Sequence, residues 1–277
     1  MLAAVFLSVH TPRYCTFEAA FEGKLASEVF RPVRDGLIAQ GRLVERAGLD
    51  VVVINSCHLV STFPTVVDGT PRHRGVLTAQ EAPELISGVA YEYPGDYELA
   101  ALLVARGKAE GYQCVLANDV HYPLDYGTVM PMVCYLDRGQ QLPMVPVSVC
   151  LSADLGEAFG WGRFLAQTAR ETPKRVGFVA SGSVSHRLVR DPARGPRPED
   201  EELDHQFARL LAGGEYEKLW GWLPEFARAA EPEMGGRHLA MMLGAILESR
   251  QHFLSTVHAY GPSSGSGNYV ISLLSDG

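Results

Sequence analysis

Short apolar, β-branched runs separated by amphipathic stretches constrain this chain more than any other feature. The clearest is Leu49-Asp50-Val51-Val52-Val53-Ile54. A strand buried on one face alternates apolar and polar residues, whereas a near-continuous run belongs to a strand covered on both faces. Leu2 to Ser8, Gln113 to Ala117, Pro143 to Leu151 and Arg175 to Ala180 read the same way. Between them lie segments of helical period. One runs from Phe17 to Ala47, with Phe30, Val33, Leu37, Ile38, Leu43 and Val44 on one face. Another is Asp96 to Glu110, which Asp96 is placed to cap. Further helices are predicted at Trp161 to Glu171, Asp204 to Leu211, Tyr216 to Ala229 and Leu239 to Arg250, and closing strands at Phe253 to Tyr260 and Tyr269 to Leu274. The alternation predicts an α/β fold of three layers, a mostly parallel central sheet flanked by helices. Neither an internal repeat nor a composition break divides it, so residues 1–277 read as a single domain. The charged stretch Arg190 to Asp204 is expected as a surface excursion, with a lid over a site as the functional alternative. Pro262 to Gly267 is expected as a turn whose small residues let a ligand approach closely.

Composition narrows the function. With 24 Lys and Arg against 32 Asp and Glu, the net charge is −8. That disfavours nucleic acid and anionic membrane surfaces as partners, because both need a basic face. No stretch approaches the roughly 18 apolar residues that span a bilayer. Met1 to Val9 lacks the basic start and small-residue cleavage site of a secretory leader. The five cysteines, Cys15, Cys57, Cys114, Cys134 and Cys150, form no CxxC pair. They are expected as small hydrophobes in a reducing, cytoplasmic compartment.

Three of the nine histidines share a context. His10 follows the first strand, His58 follows Val51 to Ile54, and His186 follows Arg175 to Ala180 after a Ser-Gly-Ser-Val-Ser turn. Ligands gather at the carboxyl ends of strands in open α/β sheets. Imidazoles converging there suggest a metal site or a general acid/base. The carboxylate that such a site needs is Glu231 or Glu233, both ahead of an apolar helix, and pattern alone does not choose between them. Two His and one carboxylate with open positions favour non-haem Fe(II), whereas four tetrahedral ligands would favour Zn²⁺. HExxH, GxSxG, GxGxxG and Walker A patterns are all missing.

Several pieces together carry a family resemblance: Ser8-Val9-His10-Thr11-Pro12, the strand with His58, Leu124-Asp125-Tyr126-Gly127-Thr128-Val129-Met130-Pro131, Ala180-Ser181-Gly182-Ser183-Val184-Ser185-His186-Arg187-Leu188, Glu233 before Met241-Met242-Leu243-Gly244, and Pro262 to Gly267. The chain resembles the class III extradiol ring-cleaving dioxygenases, typified by the catalytic subunit of protocatechuate 4,5-dioxygenase. Within them it is most similar to the 3,4-dihydroxyphenylacetate 2,3-dioxygenase branch. The resemblance implies Fe(II) held by His10, His58 and Glu233, with His186 as acid/base and not a ligand. It implies a small aromatic diol or aminophenol as substrate with O₂, a muconic semialdehyde as product, and a homo-oligomer, dimer or tetramer.

Two positions depart from the family pattern. Ser56 stands where many relatives carry an acid two residues before the second ligand, and Tyr126 stands where many have histidine. His121, five residues upstream, is a candidate for the missing imidazole, with a loop histidine as the plainer reading. Arg13 and Arg187 are candidates to hold a substrate carboxylate through charge-assisted hydrogen bonds. A 2-aminophenol 1,6-dioxygenase-type reaction, a non-catalytic Memo-like or structural-subunit paralogue, and a Zn²⁺ hydrolase on the same scaffold are the alternatives.

Overall fold

The computed structural model describes residues 1–15, 30–137, 139–189, 191 and 194–276. The first half runs β1 (Leu2–Ser8), α1 (Arg31–Ala47), β2 (Val51–Ser61), β3 (Thr65–Asp68), β4 (Arg72–Leu77), β5 (Val89–Pro94), α2 (Tyr97–Ala109) and β6 (Cys114–Ala117). Then come α3 (Tyr126–Pro131), which continues into a wide helical turn Met132–Leu136, β7 (Met144–Cys150), α4 (Leu155–Glu171), β8 (Val176–Ser181) and the two-residue β9 (Ser185–His186). The chain closes with α5 (Pro198–Ala212), α6 (Tyr216–Ala230), a tight turn Glu233–Gly236, α7 (Arg237–Ser249), β10 (Phe253–Ser263) and β11 (Ser266–Ser275).

The central sheet has the order β10-β11-β1-β8-β2-β7-β3-β6, with β9 paired to β11. Its middle is parallel, as the apolar runs predict: β1 with β8, β8 with β2, β2 with β7. The antiparallel pairs flank that middle, β11 on β1, β10 on β11 and β3 on β7. β4 and β5 form a separate hairpin. Alternation inside the apolar runs now has a physical meaning. Val51 and Val53 pack toward α2, α4 and α7, while Val52 and Ile54 pack toward α1 and α3. Both faces are therefore dry, and the structure is a three-layer α/β domain. Cys57, Cys114 and Cys150 sit in strands, and all five cysteines are unpaired.

Two contacts fix the layers. Gln40, fully buried on α1, donates its amide to Leu7 O and Ile271 O, each at 3.1 Å, so the helix is tied to β1 and β11. On the other face α4 and α7 touch backbone to backbone. A Cβ on Gly162 would lie 1.9 Å from Met241 O, and one on Gly244 would lie 2.0 Å from Phe159 O.

Several expectations need correction. Asp96 caps α2 by accepting from Leu99 N, as expected, but α4 begins at Leu155, six residues earlier than the periodicity predicts, because Asp154 caps it through Glu157 N. The apolar spacing signals only the buried stripe, and the cap sets the start. Likewise Arg190 to Asp204 is only partly a surface loop, since Pro198 opens α5 and its Asp200 and Asp204 are fully buried. Pro at the first helical turn nucleates without losing a hydrogen bond. Residues 17–29 of the first expected helix lie outside the described residues. No helix among the described residues is long and apolar enough to cross a membrane.

Candidate metal centre and active site

β1, β8 and β2 lie side by side and run parallel, so their carboxyl ends open at one edge of the sheet. His10 leaves β1 two residues past its end and is buried. His58 does not follow its strand, as the sequence suggests, but sits inside β2. There Ser56 pairs with Ser148 and Val60 with Val149, so residues 57–59 have no counterpart on β7. Such a bulge turns a side chain out of the regular alternation, here toward the site. Glu233 arrives from the tight turn before α7, and Met234 and Gly235 beside it adopt left-handed backbone. It is 2% exposed, which a carboxylate tolerates only when fully partnered.

The partners are on hand. Glu233 Oε1 is 3.2 Å from His10 Nε2 and 3.0 Å from His58 Nε2, and Oε2 accepts from Ser183 N at 3.0 Å. Burial alone would raise the Glu233 pKa, but His10 and His58 hold it well below the ordinary carboxylate range. Burial opposes charge on His58 too, yet Glu233, Asp125 and Glu81 raise its pKa. The His10 tautomer follows from its other neighbour. Ser181 Oγ donates to Gly127 O at 2.6 Å, so it accepts from His10 Nδ1 at 2.9 Å. With the ring neutral, Nε2 then presents a lone pair to a carboxylate oxygen 3.2 Å away, an arrangement that a cation between the two would satisfy. Adjacent ligands of an octahedral divalent ion with bonds of about 2.1 Å stand about 3 Å apart, so the donor set fits such an ion. Among the described residues the ligand atoms of His10, His58 and Glu233 all lie within 4.8 Å of one another.

These residues line a cavity of about 660 Å³ together with His186, Tyr126, Arg13, Glu81, Glu84 and Ser263, Ser264 and Ser266. His186 Nδ1 lies 3.0 Å from Ser183 Oγ and 3.1 Å from Ser266 Oγ, which leaves Nε2 to exchange a proton with a ligand. Burial lowers its pKa, so the ring is neutral at pH 7. The Tyr126 hydroxyl is 2.6 Å from His58 Nε2, and burial raises its pKa far above the ordinary phenol value. Ser56, where many relatives carry an acid, donates to Asp125 Oδ1 at 2.5 Å, and Asp125 caps α3 through Thr128 N. The serine thus holds the helix start that presents Tyr126. A carboxylate for His58 comes instead from Glu81, whose Oε1 is 3.5 Å from Nδ1.

Not every candidate reaches this cavity. Arg187 turns to the far side of β9, pairs with Asp200 and Glu231, and donates to Ala229 O. His121 is exposed on the loop before α3 and does not line the cavity. Glu231, the alternative carboxylate, caps α6 in left-handed conformation and is half exposed toward Arg187. His238 went unremarked in the sequence. It is fully buried on α7, burial pushes its pKa down to about 4, and its Nε2 would lie 2.8 Å from a Cβ on Gly182. An isolated histidine in an apolar helix carries no signal that would have singled it out.

Residues 5–271 match the family described as the catalytic LigB subunit of aromatic ring-opening dioxygenase. The chain belongs to this family. Among curated relatives, a 3,4-dihydroxyphenylacetate 2,3-dioxygenase of Escherichia coli is 25% identical over 206 residues, covering 72% of this chain and 74% of that one. A 2-aminophenol 1,6-dioxygenase alpha subunit of a Pseudomonas species is 26% identical over 187 residues, covering 65% of this chain and 68% of that one. Among solved structures, an uncharacterized protein JW3007 of Escherichia coli K12 superposes with a TM-score of 0.64 at 18% identity, over 98% of this chain and 99% of that one. That likeness shows a shared fold.

Proposed function

We propose that this LigB-family protein is an Fe(II) extradiol dioxygenase that opens the ring of a catechol with O₂ to a muconic semialdehyde. The observation that carries the reading is the meeting of His10 Nε2, His58 Nε2 and Glu233 Oε1 on one wall of a cavity that also holds His186. A complete triad argues against a non-catalytic paralogue. Bound there, Fe(II) would supply adjacent open positions for the two substrate oxygens and for O₂. The chain's own residues do the rest. His10 and His58 give neutral nitrogens, and Glu233 gives one negative charge. His186, neutral at pH 7, takes the phenolic proton at Nε2 and later returns it. The Tyr126 hydroxyl, against His58, lies where it can hydrogen-bond a ligand oxygen.

The substrate proposed is 3,4-dihydroxyphenylacetate, because Arg13 lines the cavity and the E. coli relative is named for that compound. A homo-oligomer, dimer or tetramer, in the cytoplasm belongs to the same reading, and the five unpaired cysteines support that compartment. The test is an aerobic screen of anaerobically loaded protein, following the yellow semialdehyde. If the carboxylate is recognised, 3,4-dihydroxyphenylacetate exceeds catechol in kcat/KM by at least about tenfold. Equal rates remove that assignment, and a preference for 2-aminophenol moves the protein to the aminophenol branch. Retention of Zn²⁺ with hydrolysis and no ring opening would overturn the reading altogether.

A further inference from the structure

His186 stands on one of the least supported elements of the sheet. β9 has two residues, and among the described residues its ladder is with β11 alone, where Ser266 faces His186 and Gly267 faces Ser185. The register matters, because Ser266 supplies one of the two hydroxyls that hold His186 Nδ1. Its neighbours are Gly265 and Gly267, so a slip of one residue would take the Ser266 hydroxyl away and leave that nitrogen with Ser183 Oγ alone. The ladder is short, with Val184 N donating to Gly267 O at 3.0 Å before it and Val189 N to Ser264 O at 2.7 Å beyond it.

A buried side-chain tie to the same ladder comes from α5. Asp204 is fully buried on that helix, and its Oδ2 accepts from Ser185 Oγ at 2.8 Å and from Tyr260 Oη at 3.0 Å. Ser185 Oγ in turn accepts from Gly267 N at 3.0 Å. The carboxylate lies directly on the β11 backbone. A Cβ on Gly267 would be 1.7 Å from Asp204 Oδ2, so only glycine admits it. Asp204 Oδ1 has no hydrogen-bond partner among the described residues. A buried carboxyl with one oxygen unpartnered costs stability, so thermodynamics alone gives no reason to keep it.

Building on the ring-cleavage reading, we infer that Asp204 is a positioning residue, which grips the Ser185 hydroxyl against β11 and so fixes the direction from which His186 meets the substrate. Burial raises the Asp204 pKa to about 7, so a neutral acceptor at this position is compatible with the native state. The role is therefore one of hydrogen-bond geometry, which asparagine can reproduce and alanine cannot.

The experiment compares Asp204→Ala, Ser185→Ala and Asp204→Asn, each alone and in a His186→Phe background, with iron per chain, kcat, KM and amide exchange measured. Ser185→Ala cuts the same link with less disturbance and serves if Asp204→Ala does not fold. Both alanine variants are expected to retain iron and keep KM within about twofold while kcat falls roughly 10–100-fold, as displacement of a reacting group by about 1 Å does. With His186 already replaced by Phe, the same changes are expected to alter kcat less than about twofold, because the shared effect is gone. Asp204→Asn is expected to stay within about threefold of the parent in kcat, since it keeps an oxygen for both hydroxyls. Amide exchange at Gly267 and Val184, whose N–H groups bond across the two strands, should accelerate in the alanine variants while Val5 and Val53 are unchanged, and this reading needs no activity. Unchanged kcat and unchanged exchange overturn the inference, as do equal losses in both backgrounds or failure of asparagine to restore the rate. A parent without ring cleavage, whose Gly267 exchange still depends on Asp204, overturns the functional reading and leaves the structural grip standing.

Discussion

At the scale of single residues, the proposed metal ligands and the proposed acid/base divide by what each nitrogen faces. His10 and His58 turn Nε2 to one carboxylate oxygen, whereas His186 is held by hydroxyls at Nδ1 and stays outside that group. His10→Ala, His58→Ala and Glu233→Ala are each expected to lose iron on dialysis while the far-UV spectrum is unchanged, since two remaining ligands cannot hold a divalent ion. Full retention of iron in any one of them would take that residue out of the site. His186→Phe is expected to keep iron and bind catechol but turn over about 10²–10⁴-fold more slowly, the usual effect of removing a general acid/base. Loss of iron in this variant would make His186 a ligand. That these four residues meet at one cavity was legible because each follows or joins a recognisable strand or helix start. Arg187, just past β9, does not line the cavity that holds its neighbour His186, because Asp200 and Glu231 pair with its guanidinium.

At the scale of elements, the glycines between α4 and α7 set how closely the two helices approach. Backbone oxygens at 1.9 and 2.0 Å from a would-be Cβ cannot move aside as a flexible side chain would. Gly244→Ala is expected to destabilise by about 2–3 kcal/mol, the range for forced overpacking. That corresponds to a fall in Tm of roughly 4–12 °C for a chain of this size. Because α7 begins at the turn that carries Glu233, iron affinity should weaken as well. Gly221, inside α6 with nothing within 4 Å of its would-be Cβ, is the control. Gly221→Ala should raise stability by about 0.4–1 kcal/mol, through helix propensity and a less flexible unfolded chain. Thermal unfolding of both metal-free variants checks the pair, and a stabilised Gly244→Ala would show that the helices can separate freely.

At the scale of the whole molecule, two buried groups impose opposite pH dependences on stability. Burial raises Asp204 to about 7, so the folded state keeps a proton that the unfolded chain has lost above about 4. Its contribution falls as pH rises through that window. Burial lowers His238 to about 4, so between about 4 and 6.5 the unfolded chain binds a proton that the folded state excludes. That contribution rises with pH. Each slope is about 1.4 kcal/mol per pH unit, and over the shared window they oppose. Asp204→Asn removes the falling one. Urea unfolding of metal-free protein at pH 5 and pH 6.5 is expected to show the variant gaining about 2 kcal/mol more than the parent over that interval. Equal gains would show that Asp204 ionises as an ordinary carboxyl.

Most of the architecture was determined by local sequence. Runs such as Val51 to Ile54 have no polar residue to present to water, so they specify strands with two dry faces, and the helical stretches between them must supply the covers. That His10, His58 and Glu233 lie together was within reach of motif and resemblance. Tertiary structure decided everything that depends on two distant segments meeting. The bulge at residues 57–59 exists only against β7, and Ser56 became a partner for Asp125 only once α3 packed on β2. Asp204, from a stretch that reads as a charged loop and helix start, lies under Gly267 because α5 folds over the β9–β11 ladder. Periodicity reports which side of an element is dry. It carries no information about which buried polar atom will find another 60 residues away, because that hydrogen bond is set by the packing of whole elements.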